Sequence, residues 1–214
     1  MDYKCIIFDF DGTLADTNIG IVRTFQETFR RMGMSVPSEE RISSTIGLNL
    51  KDGFFAAVDG LTDAQAEQAV EIYRSIFPQI AYPVITAFPG IVEALAELKS
   101  RGYILAVATS RSHHSLEALA DQTGVAPFFV GLYGAEDTER HKPYPDLALH
   151  ILSKLNLQPS EALVVGDATY DVLMGKGAGC RVCAVTWGNQ TRDMLATAGP
   201  DHIIDDISEL LELL

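Results

Sequence analysis

Cysteine, tryptophan and long apolar runs are scarce in this chain of 214 residues, which has three cysteines and one tryptophan. No apolar run approaches the ~20 residues of a membrane-spanning helix, so we expect no membrane partner. Cys5 and Cys183 lie in short apolar, strand-like runs, which is typical of buried reduced thiols in a cytoplasmic protein. No second pair of Cys or His stands at ligand spacing, which argues against a zinc site.

Positive charge is also scarce. The chain carries 16 Lys and Arg against 29 Asp and Glu, for a net charge of -13. Such a chain repels a phosphate backbone, so we expect no nucleic-acid partner. The segment from Met1 to Asp11 lacks the basic and apolar regions of a signal peptide, which favours a cytoplasmic location. An acidic protein that handles an anionic substrate needs a local cation, either a metal ion or a few placed basic side chains.

Short, continuous apolar runs alternate with helical patterns along most of the chain. Continuous runs are typical of parallel strands that are buried on both faces. The predicted strands cover residues 5–8, 104–108, 128–132, 162–165, 182–185 and 202–204. Helical patterns over about 89–100 and from about 145 onward separate them. This alternation predicts an α/β fold, a Rossmann-like parallel sheet with helices on both faces.

Residues 18–82 break this rhythm, because they contain helical apolar spacing and no strand pattern. Thr62, with Gln65 three residues later, has the pattern of a capping box at a helix start. We therefore predict an all-helical cap domain over residues 18–82, inserted after the first strand, and a catalytic core formed by residues 1–17 and 83–214. The cap would lie above the carboxyl ends of the strands, where open parallel sheets bind ligands.

Two carboxylates follow the first strand, Asp9 and Asp11, just before Gly12. Residues two apart in an extended chain face the same side. Their mutual repulsion predicts that one of them holds a proton more readily than a free Asp does. A charged nucleophile or metal ligand and a neutral general acid can share the work in this way.

The string from Phe8 to Thr17 resembles the first motif of the haloacid dehalogenase-like superfamily, in its phosphatase branch. The companion motifs follow in order over nearly the whole chain. They comprise a strand-end hydroxyl, a lysine before proline, and two acids after a later strand, and the residues are Thr109, Lys142, Asp167 and Asp171.

The resemblance implies a magnesium-dependent phosphatase. Asp9 would attack phosphorus and form an aspartyl-phosphate, and Asp11 would protonate the leaving alcohol and then deprotonate water. Thr109 and Lys142 would hold the transferring phosphoryl group. Magnesium would bind Asp9, the backbone carbonyl of Asp11, and Asp167, and Asp171 would lie close by or bind through water.

Within the superfamily, the Gly-Asp form of the fourth motif and the helical insert resemble phosphoglycolate phosphatases and their relatives. A small phosphorylated metabolite is therefore the expected partner, and we expect a monomer or a homodimer. Substrate contacts are predicted for Ser110, Arg111 and, on the cap loop that begins at Ile46, Lys51. A sugar phosphomutase, a pyrophosphatase or nucleotidase, and an inactive binding module remain alternatives. Asp11 argues against a dehalogenase, which needs no acid at that position.

Overall fold

The sheet at the centre of the molecule has six parallel strands. The computed structural model describes residues 3–214, so the first two residues of the predicted core lie outside the described residues. The strands are β1 Cys5–Phe8, β2 Ala15–Asp16, β3 Thr86–Ala87, β4 Ile104–Ala108, β5 Gly131–Tyr133, β6 Ala162–Gly166, β7 Arg181–Val185 and β8 His202–Ile204. The order across the six-stranded sheet is β5-β4-β1-β6-β7-β8, and β2 and β3 form a separate pair.

Ten α-helices accompany the strands in the described part of the chain. They are α1 Asn18–Arg31, α2 Glu39–Ser43, α3 Leu50–Ala57, α4 Asp63–Ile80, α5 Ile91–Ser100, α6 His113–Gln122, α7 Asp146–Leu155, α8 Thr169–Ala178, α9 Arg192–Thr197 and α10 Ile207–Leu213. Alternate residues of β1 face opposite sides, so that Ile6 joins one buried apolar cluster and Ile7 the other. The central strands are thus apolar on both faces, which is why they appear as continuous runs in the sequence. The predicted α/β fold is confirmed.

The chain order across the sheet places a switch point beside β1. From β1 the chain passes to β4 and β5 on one side, and then returns to β6, β7 and β8 on the other. The loops after β1 and β6 therefore lead away in opposite directions. Open parallel sheets bind ligands at such a point, at the carboxyl ends of the strands.

The segment 18–82 folds as the helices α1 to α4, and none of the eight described strands lies in it. Its interior is an aromatic cluster, in which Phe25 lies 4.3 Å from Phe54 and 5.2 Å from Tyr73 between ring centroids. The capping box of Thr62 and Gln65 is present at the start of α4. The antiparallel pair β2 and β3 joins the two ends of this segment to the sheet. The division into two domains stays a prediction.

The structure differs from the sequence pattern at the fifth strand. Residues 126–128 form a short 3₁₀ turn, and β5 begins only at Gly131, so the predicted start at residue 128 is wrong. Pro127 lies in the first positions of that turn. Proline has no backbone N–H to give to a neighbouring strand, and its fixed φ suits a turn. None of the helices in the described part of the chain combines the length and the hydrophobicity that a membrane span requires.

Candidate active site

The site is assembled by strand ends. Asp9 follows β1, Thr109 follows β4, and Asp167 follows β6, and these three strands are neighbours in the sheet. Because parallel strands end at the same edge, their first loop residues converge there. The backbone N–H of Asp9 donates to the carbonyl of Val165 at 2.8 Å, which extends the pairing of β1 with β6 by one residue.

Three carboxylates form a buried cluster at this edge. Asp9, Asp167 and Asp171 each offer an oxygen, and these oxygens lie within 4.8 Å of one another. The residues are only 4%, 1% and 1% exposed, respectively. Buried carboxylates at this spacing repel each other and need positive charge nearby.

Lys142 supplies part of that charge. Its Nζ lies 2.6 Å from Asp9 Oδ1 and 2.6 Å from Asp171 Oδ1, and the side chain is buried. Burial alone would lower the pKa of the Lys142 ammonium, but the carboxylates of Asp171 and Asp9 outweigh burial and raise that pKa. The lysine therefore stays charged, and it bridges two members of the cluster.

The raised pKa values of the acids reflect their burial and the negative charge that remains in excess. Burial raises the pKa of Asp9 well above its ordinary value; Lys142 lowers it, and the charges of Asp171, Asp167 and Asp11 raise it again. Burial and Asp171 raise the pKa of Asp167 to about 7, although donors from Asn189 and Thr13 oppose the rise. Burial, together with repulsion from the neighbouring acids, thus raises the pKa of the predicted nucleophile, Asp9.

The donor set fits a divalent cation. Three carboxylates face one ammonium, and all the ligands are oxygens, which hard cations such as Mg²⁺ and Ca²⁺ prefer. A cation among them would favour the ionised forms and remove the excess negative charge. The residues that could hold it are Asp9, Asp167 and Asp171.

Both acids of the fourth motif are held by local donors. Asp167 Oδ1 accepts from the hydroxyl of Thr13 at 3.1 Å. Asp167 Oδ2 accepts from the backbone N–H and the side-chain Nδ2 of Asn189, at 2.7 and 2.8 Å. Asp171 lies in the first turn of α8, where its Oδ2 accepts from the backbone N–H of Ala168 at 3.1 Å. This turn presents the other oxygen of Asp171 to Lys142.

Asp11 does not belong to the three-carboxylate cluster, and it has a cationic partner of its own. The guanidinium of Arg111 donates to both of its oxygens, at distances between 2.6 and 2.9 Å. Arg111 lies over the ring of Phe77 on α4, with Cζ 4.9 Å from the centroid, and it also donates to Ser115. The predicted general acid is thus paired with a predicted substrate-binding residue at the contact between the sheet and the helical segment.

Thr109 and Ser110 lie at the start of the loop after β4. Thr109 is buried, and its hydroxyl accepts from the backbone N–H of Arg111 at 3.4 Å. The hydroxyl of Ser110 donates to the carbonyl of Gly47 at 2.7 Å, so the loop after β4 touches the helical segment here. Both residues are in the same loop as Arg111, but substrate binding by Ser110 stays a prediction.

The side chain of Lys51 is paired with carboxylates outside the buried cluster. It belongs to the first turn of α3 rather than to the preceding loop, and its Nζ is 3.1 Å from Asp63 and 3.2 Å from Glu67 on α4. These ion pairs with exposed carboxylates hold the ammonium at the surface, between α3 and α4. Contact between Lys51 and substrate stays a prediction.

Sequence reasoning missed the loop after β7. Asn189 contacts Asp167, and the indole N–H of Trp187 donates to the carbonyl of Thr13 at 3.1 Å. The signal was available, since β7 is the neighbour of β6 and its loop must reach the same edge of the sheet. Asn189 lies four residues beyond the end of β7, so a rule that considers only the first residues after a strand does not find it.

Known proteins resemble this chain over most of its length. The family described as haloacid dehalogenase-like hydrolase matches residues 6–185. "Probable phosphatase IndB" of Dickeya dadantii is 39% identical over 209 residues, which cover 96% of this chain and 91% of that protein. "Pyrophosphatase PpaX" of Bacillus pumilus is 31% identical over 208 residues, which cover 97% of this chain and 94% of that protein.

A solved structure extends the comparison to the fold. The crystal structure of a "predicted phosphoglycolate phosphatase" from Haemophilus somnus 129pt superposes with a TM-score of 0.91 at 25% identity. The superposition covers 100% of this chain and 98% of that one. The chain therefore belongs to the haloacid dehalogenase-like hydrolases, as its four motifs predict, and its relatives include enzymes named as phosphatases.

Proposed function

We propose that this phosphatase hydrolyses the phosphomonoester of a small metabolite through an aspartyl-phosphate on Asp9, with Mg²⁺ as its cofactor. One observation carries the proposal: the buried Asp9 carboxylate is bonded to Lys142 and lies within the Asp9, Asp167 and Asp171 cluster. A nucleophile so placed has a cation on one side and ligands for a second cation on the other. These charges can offset those of an incoming phosphate.

The reaction has two transfers at phosphorus. Lys142 is bonded to Oδ1 of Asp9, so Oδ2 attacks. The bond from Oδ2 to phosphorus forms as the bond to the leaving oxygen breaks, and Asp11 gives that oxygen a proton. Water then attacks phosphorus and loses a proton to Asp11, and the bond to Asp9 breaks to release inorganic phosphate.

Magnesium, held by Asp9, the backbone carbonyl of Asp11, and Asp167, would supply positive charge to the transferring phosphoryl group. Thr109 and Lys142 would hold the phosphoryl oxygens from the protein side. Asp11 can reach the leaving oxygen only after it gives up at least one contact with Arg111. We therefore assign Arg111 to the substrate side of the site, where an anionic substrate would compete with Asp11 for the guanidinium.

The helical segment 18–82 would act as a mobile cap over this site. Its contacts with the catalytic loops include the Ser110 to Gly47 hydrogen bond and the Arg111 to Phe77 stacking. Closure would exclude water during phosphoryl transfer, and opening would admit it for hydrolysis of the aspartyl-phosphate. The strand pair β2 and β3 lies where the segment joins the sheet and is the natural hinge.

Two substrate classes are supported by relatives of this chain. Phosphoglycolate phosphatase-like activity is favoured by the superposed structure, and pyrophosphatase activity by the PpaX relatives. A sugar phosphomutase ranks behind them. Mutases of the superfamily usually carry Glu-Asp in the fourth motif, where this chain has Gly166 and Asp167.

Phosphate release from a panel of substrates would test the proposal. The panel would contain an aryl phosphate, phosphoglycolate, pyrophosphate, nucleotides, and hexose phosphates with and without the bisphosphate, each with Mg²⁺. Release of phosphate from the aryl ester and from at least one small metabolite supports the phosphatase. Turnover confined to a hexose phosphate plus its bisphosphate would support the mutase, and the lack of any turnover would support a binding module.

A further inference from the structure

The loop after β7 forms a bracket around the ligand Asp167. Asn189 gives two donors to the same oxygen, Asp167 Oδ2: its backbone N–H at 2.7 Å and its Nδ2 at 2.8 Å. Thr13 gives its hydroxyl to Oδ1 at 3.1 Å. The plane of the carboxylate is therefore fixed from both sides. Such partners set how a carboxylate presents its remaining lone pairs to a metal.

The bracket leaves little space for any other arrangement. A Cβ atom at Gly188 would lie 2.3 Å from the Cβ of Asp167, and one at Gly12 would lie 2.2 Å from Asp167 Oδ2. At Gly12 the same atom would be 2.3 Å from Asn189 Nδ2, and the backbone there has a φ of +80. The two backbones thus approach Asp167 as closely as glycine alone permits, and the Asn189 amide fills the space between them.

The Asn189 amide works in only one of its two orientations. With Nδ2 toward Asp167 it donates, but turned over it would place its oxygen against a carboxylate oxygen. Asn18 fixes the choice, because its Nδ2 donates to Asn189 Oδ1 at 2.8 Å. The same Nδ2 lies 3.1 Å from the hydroxyl of Ser43 at the end of α2.

These bonds form a continuous relay from Asp167 through Asn189 to Asn18 and Ser43. Asn18 is the first residue of α1, and Ser43 is the last residue of α2, so the relay ends in the helical segment. Asn18 and Asn189 are 171 positions apart in the chain, and they meet only when α1 is docked on the sheet. The orientation of an Asp167 partner is thereby tied to the placement of α1.

We propose that Asn189 is a positioning residue for the metal ligand Asp167, and that Asn18 sets the working orientation of the Asn189 amide. The inference rests on the proposed function, since it assigns Asp167 to a divalent cation. In this account, Asn189 increases the affinity for the ion without touching it. Asn18 acts one step further out, through the direction in which it points its own donor.

Three variants of the whole chain separate these roles. Asn189→Ala removes the side-chain donor to Asp167 and leaves the backbone donor. Asn18→Asp replaces the donor to Asn189 Oδ1 with an acceptor of the same shape, which favours the reversed amide. Asn18→Ala removes the donor but imposes no reversal. Asn156→Asp is the matched control: it makes the same chemical change at an exposed helix end, at a φ of 55 that Asp tolerates.

Mn²⁺ would be the probe, and its free concentration would be read from its electron paramagnetic resonance signal without any substrate. We expect Asn189→Ala to raise the dissociation constant about 10- to 100-fold, the usual effect of losing a partner of a metal ligand. Asn18→Asp should raise it in the same range, Asn18→Ala by less, and Asn156→Asp should leave it unchanged. Circular dichroism would confirm that each variant is folded, and if Asn189→Ala is not, Asn18→Asp still carries the test.

The outcomes distinguish this inference from the proposed function. A wild-type chain that binds no Mn²⁺ would overturn both. Tight binding by wild type, with unchanged binding by folded Asn189→Ala or Asn18→Asp, would overturn the positioning role alone. Equal losses from Asn18→Asp and Asn18→Ala would contradict the orientation role of Asn18, because removal of a contact would then explain both.

Discussion

Arg111 and Asp11 form a buried ion pair in which the guanidinium contacts both carboxylate oxygens. Nε lies 2.9 Å from Oδ1 and 2.7 Å from Oδ2, and Nη2 lies 2.6 Å from Oδ1. The two side chains are only 10% and 12% exposed. The residue predicted as the general acid is thus held in place by a cation that also lies over Phe77 of the helical segment.

Removal of Arg111 should leave a buried carboxylate without its partner. We expect Arg111→Met to lower the free energy of unfolding by about 3 kcal/mol, the usual cost of breaking a buried pair from one side. The double variant with Asp11→Asn should lose less than the sum of the single losses, by about 1 to 3 kcal/mol. Urea denaturation of the four proteins measures this coupling, and additive losses would show that the pair does not act as a unit.

Mg²⁺ and Ca²⁺ should have opposite effects on turnover. Mg²⁺ requires a tight octahedron, whereas Ca²⁺ accepts more ligands at longer distances and can engage both oxygens of a carboxylate. Because Asp9 must keep one oxygen free to attack, we expect activity with Mg²⁺ and inhibition by added Ca²⁺. Rates of aryl phosphate hydrolysis would be measured after dialysis against chelator and after return of each ion. Full activity in excess chelator would contradict a metal-dependent mechanism.

The metal-free protein should lose stability as pH rises, and Mg²⁺ should oppose this loss. In the metal-free protein, burial and Asp171 raise the pKa of Asp167 to about 7, and the pKa of Asp9 is raised in the same direction. Groups with raised pKa values contribute stability at low pH that is lost as pH rises, here through about 7 for Asp167. Mg²⁺ binds the ionised forms, so its stabilising effect should grow over the same range.

Thermal melts with chelator and with Mg²⁺, at about pH 5.5 and about pH 8, would measure this linkage. We expect the increase in melting temperature caused by Mg²⁺ to be larger at the higher pH, with about 3 °C for each kcal/mol in a chain of this size. An Asp167→Asn variant should lose most of the increase. A larger increase at the lower pH would reverse the sign that the buried cluster requires.

Lys51 offers a test of how the helical segment reads substrate. Its ammonium is held by the exposed carboxylates of Asp63 and Glu67 on α4, and it would have to leave them to meet a substrate. If it then meets a second anion, Lys51→Ala should raise KM for the best natural substrate about fivefold, equivalent to about 1 kcal/mol. KM for an aryl phosphate should stay unchanged, since that substrate has no second anion.

The exposed Lys154 on α7 provides the matched control, and Lys154→Ala should change neither KM. An equal effect of Lys51→Ala on both substrates, or none on either, would show that Lys51 does not read the substrate. Specificity would then come from other side chains of the helical segment.

Site residues that directly follow a strand can be predicted from the sequence, whereas contacts that depend on packing cannot. Continuous apolar runs mark β1 and β6, so Asp9 and Asp167 can be placed at one edge of the sheet. The Arg111 to Asp11 pair joins residues 100 positions apart, across two loops. No periodicity encodes such a contact, because it depends on how the loops fold above the sheet.

The helical segment shows the same difference between local signals and packing. Its apolar spacing and the capping box at Thr62 predict the helices, since both are local signals. The docking of α1 on the sheet, which brings Asn18 to Asn189, is set by the shapes of the surfaces that meet. The start of β5 was missed for a local reason, the turn at Pro127.

Chemical trapping of the phosphorylated residue tests the central claim most directly. The enzyme would be mixed with substrate and Mg²⁺, quenched in acid, reduced with borohydride, and digested for mass spectrometry. An acyl-phosphate is reduced by borohydride to the alcohol, whereas a free carboxylate is not, so residue 9 should be recovered as homoserine. Asp9→Asn is the control, and it should give no reduced peptide and at least a thousandfold lower turnover, roughly the effect of losing a nucleophile. Reduction at another carboxylate, or full turnover in Asp9→Asn, would contradict the account.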